Sequence, residues 1–201
     1  MSSALNQKAP EFEARCYHNG QIKTVNIKDY DDYYKVLFFY PLDFSFICPT
    51  ELHELIAKQA EFEKYNCKVF AISTDSVYSH EAWANQSKSA GGLENIGELY
   101  MISDYDKKIC ESYGTLDRTN KHESSSSRVT YILDKENNVK SVSANITDIG
   151  RNIDEILRMV ACVNKADTLE EGEVLPCGWQ PGGETLEKTH NGVIKFLGEW
   201  Y

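Results

Sequence analysis

The sequence predicts an α/β domain with a central mixed sheet flanked by helices, followed by an extended C-terminal arm. Five apolar segments have strand character; of four segments with helical spacing of apolar residues, three lie between the strands and the fourth follows the last one. Strands that alternate with helices indicate a largely parallel sheet. From about residue 165 this alternation stops, and glycine and proline become frequent. We therefore expect one domain at residues 1–165 and an arm at residues 166–201.

The predicted strands are short runs rich in Val, Ile, Phe and Tyr. They cover residues 35–40, 68–73, 99–103, 129–134 and 139–145. The last two are separated by Lys135-Glu-Asn-Asn138, and a short polar connection of this kind signals a hairpin. We therefore expect an antiparallel edge on the sheet. An exposed edge strand is also a natural surface for pairing with a second copy of the chain.

The predicted helices are segments in which apolar residues recur at helical spacing. They cover residues 49–65, 77–88, 106–113 and 152–163. In the last segment, Ile153, Ile156 and Val160 lie on one apolar stripe, which is the pattern of a helix packed on a core. Residues 91–94 and 119–127 are predicted to be loops, because the first begins with two glycines and the second is polar and contains four consecutive serines.

Composition and charge exclude several classes of partner. The 201 residues carry 31 acidic and 21 basic side chains, a formal net charge of -10. No run of Lys and Arg stands out, so we expect no nucleic acid and no membrane as partner. No apolar stretch approaches the roughly 18 residues that span a bilayer. The N-terminus lacks the basic and apolar pattern of a secretory signal, so we expect a cytoplasmic protein whose thiols are kept reduced.

The six cysteines do not form a recognisable metal or disulfide framework. None of them belongs to a Cys-x-x-Cys pair, and no histidine lies at zinc-finger spacing from them. We therefore expect neither a metal nor another cofactor. The missing Cys-x-x-Cys pair also argues against a disulfide reductase of the thioredoxin type. The cysteines are Cys16, Cys48, Cys67, Cys110, Cys162 and Cys177.

Cys48 has a position that can activate a thiol. It follows the apolar run 36–40, which is predicted to be a buried strand, and it precedes the helix predicted at 49–65. The N-terminus of a helix carries partial positive charge and unpaired N–H donors, and both favour a thiolate. Pro49 is tolerated there because the first helical turn needs no N–H from it. The sequence therefore predicts a nucleophilic cysteine at this junction.

The residues around Cys48 resemble the active-site signature of the peroxiredoxins. The signature here is Pro41-x-x-x-Ser45-x-x-Cys48, followed by Pro-Thr-Glu, and the longer string FFYPLDFSFICPTEL is similar to the typical two-cysteine subgroup. The likeness continues from residues 9–12 to residues 172–179, which is nearly the whole chain. It implies a thioredoxin-like (peroxiredoxin) fold, hydrogen peroxide and organic hydroperoxides as substrates, and a thiol reductant.

The resemblance also implies roles for the residues around the reactive sulfur. Arg128 is expected to be the cation beside it. Ser45 stands where the family usually has threonine, and its hydroxyl is expected to contact the thiolate and the peroxide. Pro41 is expected to shield the sulfur from water. Glu51 and Arg151 are expected to hold the Arg128 guanidinium in place.

The second thiol of the cycle departs from the usual family pattern. The resemblance implies that Cys48 becomes a sulfenic acid and that a thiol in the arm of the partner subunit condenses with it. The family usually has Val-Cys-Pro there, whereas this chain has Val174-Leu-Pro-Cys177, a variant similar to the Ile-Pro-Cys of some members. We therefore expect an intersubunit disulfide between Cys48 and Cys177, recycled by thioredoxin or a similar dithiol protein. If Cys177 is inert, Cys162 or an outside thiol must serve instead.

Two further expectations follow from the family resemblance. It implies a homodimer, and such dimers can assemble further into a decameric ring; an oligomeric chaperone or redox-relay protein that uses the same Cys48 chemistry is the alternative function. Members that are easily overoxidised carry Gly-Gly-Leu-Gly and a C-terminal Tyr-Phe pair. This chain has Gly-Gly-Leu-Glu at residues 91–94 and no Tyr-Phe pair in its tail. We therefore expect Cys48 to resist conversion to sulfinic acid.

Overall fold

A seven-stranded mixed sheet forms the centre of the molecule in the computed structural model, which describes residues 4–119 and 124–198. From one edge to the other, the strands are Gln21–Asn26 (β2), Glu13–His18 (β1), Tyr100–Ser103 (β5), Cys67–Ser73 (β4), Tyr34–Phe39 (β3), Arg128–Leu133 (β8) and Val139–Asn145 (β9). The pairs β3–β4 and β4–β5 are parallel, and the other pairs are antiparallel. The predicted mixed sheet with an antiparallel edge is thereby confirmed.

Helices and short ladders complete the described structure. The α-helices are Cys48–Ala57 (α1), Gln59–Glu63 (α2), Val77–Asn85 (α3), Lys108–Ser112 (α4), Ile153–Ala166 (α5) and His190–Gly198 (α6), and 3₁₀ helices lie at Ile27–Tyr30 and Lys88–Ala90. The short strands Leu116–Asp117 (β6) and Ser125–Ser126 (β7) pair with each other, as do Glu173–Val174 (β10) and Leu186–Glu187 (β11). Among the described residues, no helix is long and apolar enough to cross a bilayer.

The core consists of two apolar clusters on opposite faces of the sheet. In β3, Val36 and Phe38 belong to one cluster, whereas Leu37 and Phe39 belong to the other. Successive side chains of a strand point to opposite faces, so a central strand that is covered on both sides is apolar throughout. The first cluster also contains Cys48 and the apolar stripes of α1 and α5. The reactive cysteine therefore lies on the face where these two helices pack.

Three local predictions need correction. The N-terminal hairpin of β1 and β2 was absent from the predicted strands; β2 is mainly polar, and its turn is the Asn19-Gly20 pair, in which both residues have positive φ. The helix predicted at 49–65 is two helices, interrupted at Lys58, which has φ -102° and ψ 9°. The loop predicted at 119–127 contains the short strand β7, and residues 120–123 of that prediction lie outside the described residues.

The predicted extended arm also has more regular structure than expected. After α5 ends, β10 and β11 form a small antiparallel ladder, and α6 follows directly. The first turn of α6 is held by the Thr189 side chain, whose Oγ1 accepts a hydrogen bond from the backbone N–H of Gly192 at 2.9 Å. Gly and Pro are frequent between these elements, so a prediction based on the periodicity of apolar residues did not detect them.

A buried polar network fixes the loop that leads to Cys48. Asp43 accepts hydrogen bonds from the Tyr40 hydroxyl at 2.7 Å and from the Ser79 hydroxyl at 2.8 Å. It also lies 2.8 Å from Nδ1 of His80, a fully buried residue of α3. The Asp43 backbone N–H in turn donates to the Asp75 carboxylate at 3.0 Å. The loop before the reactive cysteine is therefore tied by charged groups to α3 and to the segment between β4 and α3.

This network predicts a stability that depends on pH. Burial lowers the pKa of His80, but the hydrogen bond and charge of Asp43 outweigh it, so the pKa is raised above 6.5. The imidazolium contribution is complete below the unfolded value of about 6.5 and is lost as the pH rises through the folded value. We expect the free energy of unfolding to fall as the pH rises above about 6.5, and the fall to be smaller in His80→Gln. Urea denaturation measures both.

The exposed His190 supplies the matched control for this experiment. His190→Gln removes a histidine without touching the buried network, so it should keep the pH dependence of the wild type. If His80→Gln and the wild type lose stability equally over this pH range, the buried ion pair does not contribute as described.

Candidate active site

Cys48 is the first residue of α1, and its side chain is fully buried. The loop 41–47 leads into it from β3. The backbone carbonyl of Ile47 accepts hydrogen bonds from the N–H groups of Thr50 and Glu51, at 3.0 and 3.2 Å, and so starts the helix. Pro49 occupies the first turn, where it costs no hydrogen bond. The thiol therefore sits at the positive end of the helix, shielded from solvent.

Arg128 is the cation nearest to this sulfur. It is the first residue of β8, the central antiparallel neighbour of β3, and it is almost fully buried. Its Nη1 lies 3.3 Å from Sγ of Cys48 and 2.8 Å from Oε2 of Glu51. Its Nε donates to the backbone carbonyl of Thr147 at 2.7 Å. Because both ends of the guanidinium are held, its charge is fixed beside the sulfur.

Glu51 joins Arg128 to a second buried arginine. Arg151 donates from its backbone N–H at 2.8 Å and from Nε at 3.0 Å to Oε1 of Glu51, and from Nη2 at 2.9 Å to Oε2. Nη1 of Arg151 also donates to the carbonyls of Phe39 and Val129, at 2.9 and 3.1 Å. Hydrogen bonds of this number and geometry orient both guanidinium groups rigidly.

The charges in this cluster do not cancel. Burial alone raises the pKa of Glu51, but the hydrogen bonds and charges of Arg151 and the charge of Arg128 outweigh it, so the pKa is lowered and the carboxylate stays ionised. Two buried guanidinium groups then face a single carboxylate within the described contacts of Glu51. A buried excess charge is costly unless an anion neutralises it. A thiolate on Cys48, in contact with Arg128, is placed to do so.

Ser45 does not make the predicted contact with the sulfur. Its hydroxyl donates to the backbone carbonyl of Leu42 at 2.8 Å, and within the described residues no hydrogen bond joins it to Cys48. Phe44, between Leu42 and Ser45 in the loop, has φ 54°, so the chain turns tightly where this hydrogen bond forms. The contact of Ser45 with the thiolate is thus absent from this conformation and stays a prediction. Pro41 is buried where the loop leaves β3.

Cys177 lies apart from the buried cluster. It is exposed on the C-terminal arm, whereas Cys48 is fully buried, and both thiols are free. The structure therefore brings together Cys48, Arg128, Glu51 and Arg151, and leaves Cys177 in a separate region of the chain.

Two groups that define this site were not predicted from the sequence. One is the network of Asp43 and His80 under the loop, for which the aspartate within the Cys48 motif was the available signal. The other is the carbonyl of Thr147, a backbone group that leaves no trace in the sequence. A cavity of about 1000 Å³ is lined by side chains such as Phe12, Tyr78 and Tyr105, and Cys48 is not among its lining residues. The reactive thiol is therefore identified by its chemistry and not by this cavity.

Comparisons with known proteins agree with this geometry. Residues 5–142 match the model of the AhpC/TSA family, and residues 168–199 match the C-terminal domain of 1-Cys peroxiredoxin. Peroxiredoxin-2 of Bos taurus is 38% identical over 183 residues, which are 91% of this chain and 89% of the relative. Thioredoxin peroxidase of Echinococcus granulosus is 34% identical over 197 residues, 98% and 99% of the two chains.

A solved structure extends the similarity to the whole fold. The reduced 2-Cys peroxiredoxin of Plasmodium vivax superposes with a TM-score of 0.89 at 31% sequence identity, over 97% of this chain and 98% of its own. The family model covers most of the sheet, and the cysteine at the start of α1 lies beside a buried arginine. The assignment made from the Cys48 motif is thereby confirmed: the chain belongs to the peroxiredoxin family of thiol-dependent peroxidases.

Proposed function

We propose that this peroxiredoxin reduces hydrogen peroxide and organic hydroperoxides through Cys48, with Cys177 of a second subunit as the resolving thiol. The observation that carries the proposal is the Arg128 guanidinium, 3.3 Å from a buried sulfur at the start of a helix. The geometry combines a nucleophile with a fixed positive charge in a site that excludes water. Both are what displacement at a peroxide oxygen requires.

The first step is attack of the Cys48 thiolate on one oxygen of the peroxide. A sulfur–oxygen bond forms and the oxygen–oxygen bond breaks. The leaving oxygen takes up a proton and departs as water or an alcohol, while Cys48 becomes a sulfenic acid. Negative charge moves from sulfur to the leaving oxygen during this step, and the Arg128 guanidinium stabilises it along that path. Glu51 and Arg151 position the guanidinium without touching the substrate.

Pro41 and Ser45 are proposed to shape the peroxide pocket. Pro41 has no N–H to offer water, and its buried position in the loop supports a shielding role. Ser45 lies three residues before Cys48 in the same loop, with its hydroxyl engaged by Leu42. We infer that this hydroxyl keeps its donor bond to Leu42 and uses an oxygen lone pair for the incoming hydroperoxide.

The second step requires Cys48 to leave its buried position. The sulfenic acid condenses with the Cys177 thiol of the partner subunit, releasing water and forming an intersubunit disulfide. Because Cys48 is fully buried and starts α1, the first turn of that helix must open before the two sulfurs can meet. A thioredoxin-like dithiol protein then reduces the disulfide. We also propose a cytoplasmic location, where such a reductant keeps thiols reduced.

Exposed surfaces support assembly of the chain. Strand β9 lies at the edge of the sheet, and an edge strand can pair with that of a second copy to form a homodimer. Four large aromatic side chains are also exposed, at 49%, 95%, 61% and 73%. They are Phe44 and Phe46 in the loop before Cys48, and Tyr78 and Tyr105, which line one cavity. We propose that these side chains join dimers into a ring. No observation on the described residues favours the chaperone or relay alternative over peroxide reduction.

Replacement of Arg128 tests the chemical step. We expect Arg128→Met to lower the second-order rate constant for hydrogen peroxide by about 10²–10³-fold, because the charge that stabilises the leaving oxygen is lost. Cys48→Ser should abolish the reaction. Stopped-flow fluorescence of the reduced protein measures both. Arg118→Met is the matched control, since Arg118 is an exposed arginine paired with Glu111 and should leave the rate unchanged. A rate for Arg128→Met within twofold of the wild type would contradict the proposed role.

Replacement of Cys177 tests the resolving step. The reduced protein receives one equivalent of hydrogen peroxide per subunit and is quenched at once with acid, which stops thiol exchange. On a non-reducing gel, we expect a covalent dimer for the wild type and none for Cys177→Ser, because Cys177 is the thiol proposed to capture the Cys48 sulfenic acid. A covalent dimer that survives in Cys177→Ser would assign the resolving step to another thiol.

The loop 91–94 predicts how readily Cys48 is overoxidised. This loop holds α1 through the carbonyl of Gly92, which lies 3.1 Å from Nε2 of His53, and it is anchored by the Trp83 indole on the Gly91 carbonyl at 3.0 Å. Glu94 has φ 66°, a conformation that glycine adopts at lower cost. Glycine at this position would therefore stabilise the folded loop and slow the opening of α1.

We expect the wild type to resist overoxidation and Glu94→Gly to be more sensitive. The measurement is loss of activity during turnover with increasing peroxide, with sulfinic acid at Cys48 followed by mass spectrometry. Glu94→Ala keeps the unfavourable φ of a residue with a Cβ atom and serves as the control. Rapid inactivation of the wild type at low peroxide, or equal sensitivity of Glu94→Gly and Glu94→Ala, would contradict this account.

A further inference from the structure

Cys177 occupies the corner of a turn that is held against its own subunit. The backbone N–H of Trp179 donates to the carbonyl of Pro176 at 3.2 Å, and Gly178 has φ 69°, as the third position of a type II turn requires. Trp179 is only 7% exposed, and its indole N–H donates to the Gly183 carbonyl at 3.0 Å. The turn is therefore an ordered element with an exposed thiol at its corner.

Arg158 of α5 connects this turn to a second cysteine. Its Nη1 donates to the Trp179 carbonyl at 2.8 Å, and the same nitrogen lies 3.4 Å from Sγ of Cys162. The rest of the guanidinium is bound by Glu155, at 2.6 and 2.7 Å. Cys162, one helical turn after Arg158, is partly exposed. The guanidinium of Arg158 therefore contacts both the Cys162 sulfur and the turn that carries Cys177.

The charges around Arg158 agree with this arrangement. The pKa of Arg158 is raised, first by its hydrogen bond to Glu155, and the Cys162 sulfur contributes in the same direction. The guanidinium contacts the Cys162 thiol directly and the Cys177 turn through the Trp179 carbonyl. A cation that contacts one thiol and the turn carrying a second one brings together groups that thiol–disulfide exchange uses.

We propose that Cys162 and Cys177 of one subunit form a second, intrachain redox pair that takes over the disulfide from Cys48. The proposal rests on the proposed function, because Cys177 must first become oxidised by condensation with the Cys48 sulfenic acid. It adds a step that the two-cysteine cycle lacks: release of Cys48 before any external reductant has acted.

The exchange step is balanced and needs no further oxidant. Cys162 loses its proton to solvent, and its thiolate attacks Sγ of Cys177 in the intersubunit disulfide. A bond forms between the sulfurs of Cys162 and Cys177, and the bond between Cys177 and Cys48 breaks. Cys48 leaves as a thiolate, which returns to the guanidinium of Arg128. The number of disulfides is unchanged, but the bond has moved from between two subunits to within one.

Two properties of the site control the rate of this exchange. Glycines 178, 182 and 183 lie around the turn, so the backbone can adjust until the Cα atoms reach the roughly 4.4–6.8 Å that a disulfide requires. Burial raises the pKa of Cys162, the charge of Arg158 opposes this, and Glu155 adds to it. Cys162 is therefore mostly protonated at neutral pH, and the exchange follows the resolving step slowly instead of competing with it.

Peroxide stoichiometry without any reductant tests the proposal. Wild type and Cys162→Ser are reduced, freed of reductant and titrated with hydrogen peroxide in small additions, with time for exchange between them. In Cys162→Ser the reaction stops at the intersubunit disulfide, so we expect one equivalent to be consumed per subunit. In the wild type, exchange frees Cys48 for a second reaction, so we expect two equivalents, a twofold difference.

Gels and mass spectrometry of the wild type supply two further readouts. In the wild type, the covalent dimer formed by one equivalent of peroxide should decay to a monomer that holds a disulfide. Trypsin cuts after Arg158, Lys165 and Lys188, so this disulfide should join the peptides 159–165 and 166–188. Cys67→Ala, which removes a buried thiol of β4, is the matched control and should behave as the wild type.

The outcomes separate this proposal from the proposed function. If the wild type consumes only one equivalent, like Cys162→Ser, and its covalent dimer persists, the intrachain pair is overturned while the peroxidase cycle stands. If the wild type consumes no peroxide and forms no covalent dimer, both are overturned. Detection of the peptide pair 159–165 and 166–188 together with a twofold stoichiometry supports the intrachain pair.

Discussion

The buried bridge between Glu51 and two arginines is the interaction on which the rest of the site depends. It joins three parts of the chain that are distant in sequence: the first turn of α1, the start of β8 and the entry to α5. Burying three charged groups costs free energy that their hydrogen bonds must offset. The surplus of one positive charge leaves room for an anion, and the sulfur of Cys48 is the group in contact with it. Folding and reactivity are thus coupled at one point.

The sequence predicted the features that depend on local pattern. The five apolar strands, the helix after Cys48 and the stripe of α5 follow from periodicity, and the Cys48 motif identified the family. It could not reveal which acceptor Ser45 uses, because that choice depends on the turn at Phe44. It also missed β2, whose buried side chains are few, and α6, which follows a region rich in glycine and proline. Both elements contain few buried apolar side chains, so apolar periodicity gives only a weak signal for them, although the Asn19-Gly20 turn is a local hairpin signal.

The C-terminal arm shows how a shifted cysteine can be accommodated. With Cys177 two residues beyond the usual family position, the thiol falls at the corner of a turn whose end is held by Arg158. The turn is anchored by Trp179, which is buried and whose indole N–H donates to the Gly183 carbonyl. The contact with Arg158 uses the backbone carbonyl of Trp179, so neither contact involves the side chains of residues 175–178.

The complete burial of Cys48 has a consequence for how the protein responds to oxidant dose. Opening of the helix is a unimolecular event with a rate that peroxide does not alter, whereas a second encounter with peroxide is bimolecular. Each Cys48 sulfenic acid therefore either forms a disulfide or is oxidised further, and the share that is oxidised further rises with the peroxide concentration. At low peroxide nearly every sulfenic acid ends as a reducible disulfide, whereas at high peroxide some subunits are inactivated irreversibly. The burial of Cys48 thus makes the fraction of inactivated subunits depend on the peroxide dose.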